Sequence, residues 1–175
     1  MSLVVRFPDS LRPERTYAAS VVFDAHLGLP HEVVFENRRD ILMHAAGDLK
    51  RTVQLPDLVF AAGDQDWPAR AVRPATILMD AIAELGDRKA NDATFGEATQ
   101  TALFDADVFG TVFWYLTRLE EVQSPDRDQH GRFPASDSRD ENQRPYVDEL
   151  VDALGRVLVS VWPTLQLRRH KFEAR

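Results

Sequence analysis

Leu3-Val-Val-Arg-Phe7, stopped by Pro8, then the run from Arg12 to Leu27, then Glu32-Val-Val-Phe-Glu36, form the stretch that decides the fold. The outer two pieces are short β-branched and aromatic runs, which read as strands. Between them Tyr17, Val21, Val22 and Ala25 recur at helical spacing, with Asp9 or Ser10 available as a cap. Gly28 is placed to close that helix in a left-handed turn. A strand, a helix and a strand in this order predict one parallel crossover.

Downstream, Ile41-Leu-Met-His-Ala45 and Lys50-Arg-Thr-Val-Gln-Leu55 read as two further strands around a turn at Gly47-Asp48, and Leu58-Val-Phe60 as a short additional one. Gly63-Asp-Gln-Asp-Trp-Pro68 is turn-rich. Pro74 opens a compact helix with Ile77, Leu78, Ala81, Ile82 and Leu85 on one face and Gly86 behind it. Asp87 to Thr101 is polar and aperiodic, the pattern of a surface loop. Asp105 or Asp107 can cap a helix whose apolar face is Val108, Phe109, Val112, Phe113, Leu116 and Leu119. Ser124 to Gln143 is a long polar connection of the kind that carries function or stays disordered. Pro145 opens a last helix, striped with Val147, Leu150, Val151, Leu154, Val157, Leu158 and Val161 and ended by Trp162-Pro163. The expected fold is α/β or α+β: a small mixed β-sheet from the N-terminal half covered by helices, with a mainly helical C-terminal half.

The 175 residues suit a single domain spanning 1–175, and 44% hydrophobic with 28% charged residues is an ordinary globular balance. A formal charge of -7 argues against nucleic acid as a partner. The one basic run, Arg168-Arg-His-Lys171, reads as a solvated tail or a junction. Cysteine is absent, which removes disulfides, thiolate metal sites and thiol nucleophiles. The opening Met1-Ser-Leu-Val-Val-Arg-Phe-Pro is too short in apolar residues for a signal peptide, and no run approaches the roughly 18 apolar residues of a membrane span. A cytoplasmic protein is the expectation.

Candidate chemistry gathers in the second half. Asp126, Asp128, Gly131 and Asp137 fall at positions one, three, six and twelve of a calcium loop, but His130 stands at position five and an Asp replaces the closing Glu. The simpler reading has the aspartates accepting backbone N–H groups and Gly131 supplying a positive φ. His26 and His31 have a zinc-like spacing without a third ligand, so no metal is expected there. Arg118, Glu120 and Glu121 close the aromatic helix, where an ion pair from one carboxylate to a basic partner such as Arg132 or Arg144, pinning the long loop, is the expected role. Asp148 and Glu149 suit the first turn of the last helix. Phe109, Phe113, Trp114 and Tyr115 read as mostly core at helical spacing, with an exposed face of Trp114 or Tyr115 as the alternative. No phosphate loop, nucleophile elbow or Ser-His-Asp set is present, and no cofactor is expected.

Three blocks stand out together: Phe109-Gly-Thr-Val-Phe-Trp-Tyr-Leu-Thr-Arg-Leu-Glu-Glu121, Asp128-Gln-His-Gly-Arg-Phe-Pro-Ala-Ser136 and Arg144-Pro-Tyr-Val-Asp-Glu149. They resemble an N-terminal accessory domain of unknown function that precedes the catalytic domain in a group of bacterial polysaccharide-deacetylase-like proteins. Thr117 stands where the family pattern has serine, and Arg15-Thr-Tyr17 and Leu27-Gly28 agree more weakly. The resemblance implies a non-catalytic domain linked to carbohydrate modification, with a deacetylase-type catalytic domain or protein, and possible carbohydrate, as partners. It carries none of that barrel's Asp-His-His metal chemistry. Arg118, Glu120, Glu121, Asp128, His130, Arg132, Arg144 and Asp148 are then expected to form one charged network that orders the loop and shapes a surface. Two alternatives start from the same residues. One is a small hydrolase-like enzyme using Glu120, His130 and Arg132, with His130 as general base. The other is a protein-interaction module using the Trp114-Tyr115 face.

Overall fold

The computed structural model describes residues 1–74, 100–124, 126–133 and 145–168. Strand β1 (Leu3–Pro8) is followed by helix α1 (Arg12–Ser20), which continues as a π-helical segment over Val21–Leu27. Gly28 ends that segment at φ 60°, its N–H donating to the Phe23 carbonyl. A side chain there would also collide with the Arg168 backbone, because Arg168 donates its N–H to Leu27 O at 2.9 Å. Only glycine satisfies both demands. Strand β2 (His31–Glu36) then runs parallel to β1, so the predicted crossover is present.

Strands β3 (Asp40–Ala45) and β4 (Asp48–Pro56) complete an antiparallel meander on the other side of β1. Strand β5 (Gln100–Leu103) pairs parallel with β4, giving the order β2-β1-β3-β4-β5. The sheet is therefore mixed, as expected, but it recruits a strand from beyond the N-terminal half. Gln100 and Thr101 were expected in a loop; polar residues serve here because β5 is an edge, where pairing needs only backbone groups. Residues 87–99 of that loop, and 75–85 of the expected helix, lie outside the described residues.

Leu58-Val-Phe60 is not a strand. The N–H groups of Leu58 and Val59 both donate to the Asp107 carboxylate, at 2.9 and 2.8 Å, so no ladder can use them. The short helix α2 (Gly63–Asp66) lies within the turn-rich segment. Helix α3 (Val108–Thr117) is capped by Asp107, whose side chain accepts from Gly110 N–H. It breaks at Arg118 into α4 (Leu119–Gln123), and α5 (Tyr146–Val161) follows Pro145.

The described helices pack on one face of the sheet. Leu3, Val5, Phe7, Ile41, Met43, Val53 and Leu55 point to that side and are fully or almost fully buried against Phe23, Phe109, Leu150, Leu154 and Leu158. The Phe109 ring meets Phe7 edge-on at 5.0 Å and Phe23 at 5.7 Å, a geometry aromatic quadrupoles favour. On α1 the buried positions are Arg15, Ala18 and Ala19, and on its π-helical continuation Val22, Phe23 and Leu27, whereas Tyr17 and Ala25 are exposed. The apolar face read from Tyr17, Val21, Val22 and Ala25 is thus rotated. A π-helical segment has more residues per turn, so a 3.6-residue period loses phase through Val21–Leu27. Trp114 is 2% exposed in a smaller cluster with Val59, Ala71 and Leu119, and Tyr115 stacks edge-on with Tyr146. Trp114 and Tyr115 thus pack as core, as their helical spacing reads, and the alternative Trp114-Tyr115 face is not formed, because α3 carries aromatic residues on both sides and each side has a core to enter.

Candidate functional site

The first motif block ends where α3 breaks. Arg118 adopts the left-handed region at φ 54°, which costs a non-glycine residue about 1 kcal/mol and turns the chain sharply into α4. Its guanidinium pairs with the Glu121 carboxylate one turn on. Glu120 is not in that pair: its Oε2 is shielded from solvent and has no hydrogen-bond partner among the described residues. Adjacent helical residues diverge by about 100°, which keeps the two carboxylates from acting on one group.

The second block is a self-contained loop. Asp128 Oδ1 accepts N–H bonds from His130 at 2.8 Å and Arg132 at 2.9 Å, and its Oδ2 accepts from Arg132 Nε at 3.1 Å. Asp128 N–H returns a bond to Arg132 O at 2.7 Å, and Gly131 turns the chain at φ 75°. The Arg132 N–H, opposed by slight burial and helped by His130 N–H and the Arg132 side chain, holds the Asp128 carboxyl below its usual pKa. This is the backbone-accepting aspartate and positive-φ glycine of the simpler loop reading. Asp137, the twelfth position of the calcium pattern, lies outside the described residues. The His130 ring is exposed; it meets Gln129 Nε2 at 3.2 Å, with no carboxylate in hydrogen-bond reach among the described residues.

Arg127, just ahead of the second block, was passed over by motif reading. Its guanidinium donates to the carbonyls of Glu121, Ser124 and Asp126 at 2.9, 2.8 and 2.6 Å, tying the loop to the end of α4. The third block behaves differently. Asp148, on the first turn of α5, pairs with His26 Nδ1 at 3.2 Å, while His31 Nδ1 pairs with Asp24 at 3.4 Å. The two histidines thus serve separate carboxylates. Arg144 lies outside the described residues. Of the expected network, the structure joins Arg118 with Glu121 and Asp128 with Arg132 as separate pairs, and sends Asp148 to His26.

Two polar clusters escaped sequence reading. One is buried: Arg15 grips Asp57 with both terminal guanidinium nitrogens, and its charge sits 4.8 Å from the centre of the Phe60 ring. Beside it, burial pushes the Asp107 carboxyl up to about 6, outweighing the N–H donors of Val59 and Gly110; the nearby Asp57 charge adds to the rise. The available signal was an arginine on the Arg15-Ala18-Ala19-Val22 stripe. The other cluster is a ladder on the sheet face opposite the helices. Gln54 donates to Asp40, Arg38 bridges Asp40 and Glu36, and Arg6 bridges Glu36 and His44. Burial of Glu36 is outweighed by Arg6 and Arg38, so its pKa falls below the usual carboxylate value. A depression of about 400 Å³ at the start of α1 is lined by Asp9, Arg12, Glu14 and Asp64 and by none of the motif residues. No helix among the described residues is long and apolar enough to cross a membrane.

Residues 3–163 match a family of unknown function, DUF7033. No curated protein and no solved structure matches the chain.

Proposed function

This chain belongs to DUF7033, a family of unknown function; from the resemblance of its three motif blocks to the accessory domain of polysaccharide-deacetylase-like proteins, we propose that it is a non-catalytic accessory domain that packs against a deacetylase-type catalytic partner in carbohydrate modification. The observation that carries the reading is the way the motif blocks spend their charges. Arg118 with Glu121, Asp128 with Arg132, and Arg127 with three carbonyls make local pairs that shape a surface. Catalysis by such residues needs a nucleophile, a base and an orienting group within mutual reach, and the described pairs do not supply that set. Leu116 and Val122, 46% and 64% exposed, flank Arg118 and offer apolar area beside the charged pairs, the mixture found at the rim and core of contact surfaces.

The test mixes the purified chain with a purified polysaccharide-deacetylase barrel from the same genome and follows binding by calorimetry. A saturable complex that Val122→Glu weakens at least about tenfold, with no acetate released from acetylated oligosaccharide by the chain alone, is expected. Absence of a complex overturns the proposal. Acetate release by the chain alone, lost in His130→Ala, would instead install the hydrolase reading with Glu120, His130 and Arg132.

A further inference from the structure

The sheet has two edges, and they differ. Among the described residues strand β5 covers Gln100–Leu103, and short edges resist pairing with another chain. Strand β2 is six residues with an uninterrupted register against β1 and no lysine, proline or bulge. Leu3 N–H donates to Pro30 O, so Pro30 and the even-numbered residues of β2 face β1. The N–H and C=O groups of His31, Val33 and Phe35 therefore point outward, and no described residue bonds to them.

We infer that this edge is a self-association surface, on which β2 pairs antiparallel with β2 of a second copy about a two-fold axis at Val33. Three outward residues centred on Val33 make the register self-complementary: Val33 opposes its own copy, and His31 opposes Phe35 at either end. Outward groups then meet outward groups throughout, as an isologous contact requires. The side chains agree. Each His31–Phe35 pair joins two rings on the helix side, and Glu32 faces Val34 on the other, so no like charges are opposed.

The charges above the strand are complementary as well. Asp24 sits beside His31, and Arg12 lies 5.2 Å from the centre of the Phe35 ring. Setting His31 of one copy against Phe35 of the other carries Asp24 toward Arg12 at both ends. Both side chains are solvent-facing, 64% and 61% exposed; Arg12 also pairs with Asp9 at 2.7 Å and Asp24 with His31 at 3.4 Å, exposed pairs of the kind worth under about 1 kcal/mol, which a new partner can replace. Two five-stranded sheets become one continuous sheet, and the exposed edge disappears.

Sedimentation equilibrium of the full chain tests this. At about 100 µM a mass near twice 19.8 kDa is expected, falling toward one chain on dilution. Val33→Pro removes the N–H at the axis without touching the ladder to β1, the position where an edge tolerates proline; it gives a monomer with an unchanged circular dichroism spectrum. Asp24→Arg, at an exposed site, raises the dissociation constant at least about tenfold, and adding Arg12→Glu restores it. A monomer at every concentration overturns the inference, as does a dimer indifferent to Asp24→Arg, whether or not Val33→Pro folds.

Discussion

Arg15 and Asp57 form a two-pronged ion pair inside the protein: Nη1 meets Oδ1 at 2.7 Å, Nη2 meets Oδ2 at 2.9 Å, and the Arg15 side chain is 0% exposed. The remaining guanidinium nitrogen, Nε, donates to Ser10 O at 2.7 Å. One side chain thus clamps the start of α1 to the chain leaving β4.

Breaking that clamp leaves a charge buried without its partner. Asp57→Ala or Arg15→Ala is expected to cost about 3–5 kcal/mol in urea unfolding. The double replacement Arg15→Met with Asp57→Leu is expected to cost clearly less than either single change, since neither charge is stranded. Equal losses in all three would show that the pair contributes only through packing.

Asp107 makes stability depend on pH in a known direction. Its carboxyl moves from the ordinary 3.8 up to about 6 on folding, so the native state holds the proton longer than the unfolded chain. The resulting stabilisation is complete below the ordinary value and is lost as pH rises through about 6, with a ceiling of about 3 kcal/mol. Asp107→Ala is therefore expected to cost more at pH 4.5 than at pH 7.5. Chemical denaturation of both proteins at the two pH values measures the difference; a gap that widens toward neutral pH has the wrong sign.

Gly110 admits no side chain. A Cβ there would collide with the Asp107 carboxylate and with Val59. Gly110→Ala is expected to lower stability by about 1–3 kcal/mol, the usual effect of overpacking, although alanine is the better helix former. A thermal melt showing Gly110→Ala at or above the wild-type midpoint contradicts the close approach of the Leu58–Val59 turn to α3.

Asp128 organises its loop without supporting the core. Asp128→Ala is expected to cost under about 1 kcal/mol globally, because the loop is exposed, while hydrogen exchange at His130 and Arg132 speeds up. Millimolar calcium is expected to leave the melting temperature unchanged. A calcium-dependent rise would return the loop to the cation-binding reading.

The strands of residues 1–56 and the two helices of the second half were legible because their signals are local, whereas the buried face of α1 was not. Leu3-Val-Val-Arg-Phe7, the Gly28 stop, the Asp107 cap and the α5 stripe each encode an element in consecutive side chains, and the α/β class with its parallel crossover follows from their order. The loop chemistry of Asp128 and Gly131 was equally local, spanning four residues. What needed the tertiary structure were partners far apart in the chain. Nothing near Leu58 announces that Asp107 takes its N–H, nothing near Asp148 announces His26, and the arginine on the α1 stripe names no carboxylate. The edge role of Gln100–Leu103 depends on where β4 ends up, since a polar run pairs as a strand only when a neighbour offers its backbone. Periodicity reports which way a side chain points along its own element; what it meets there is decided when the elements pack.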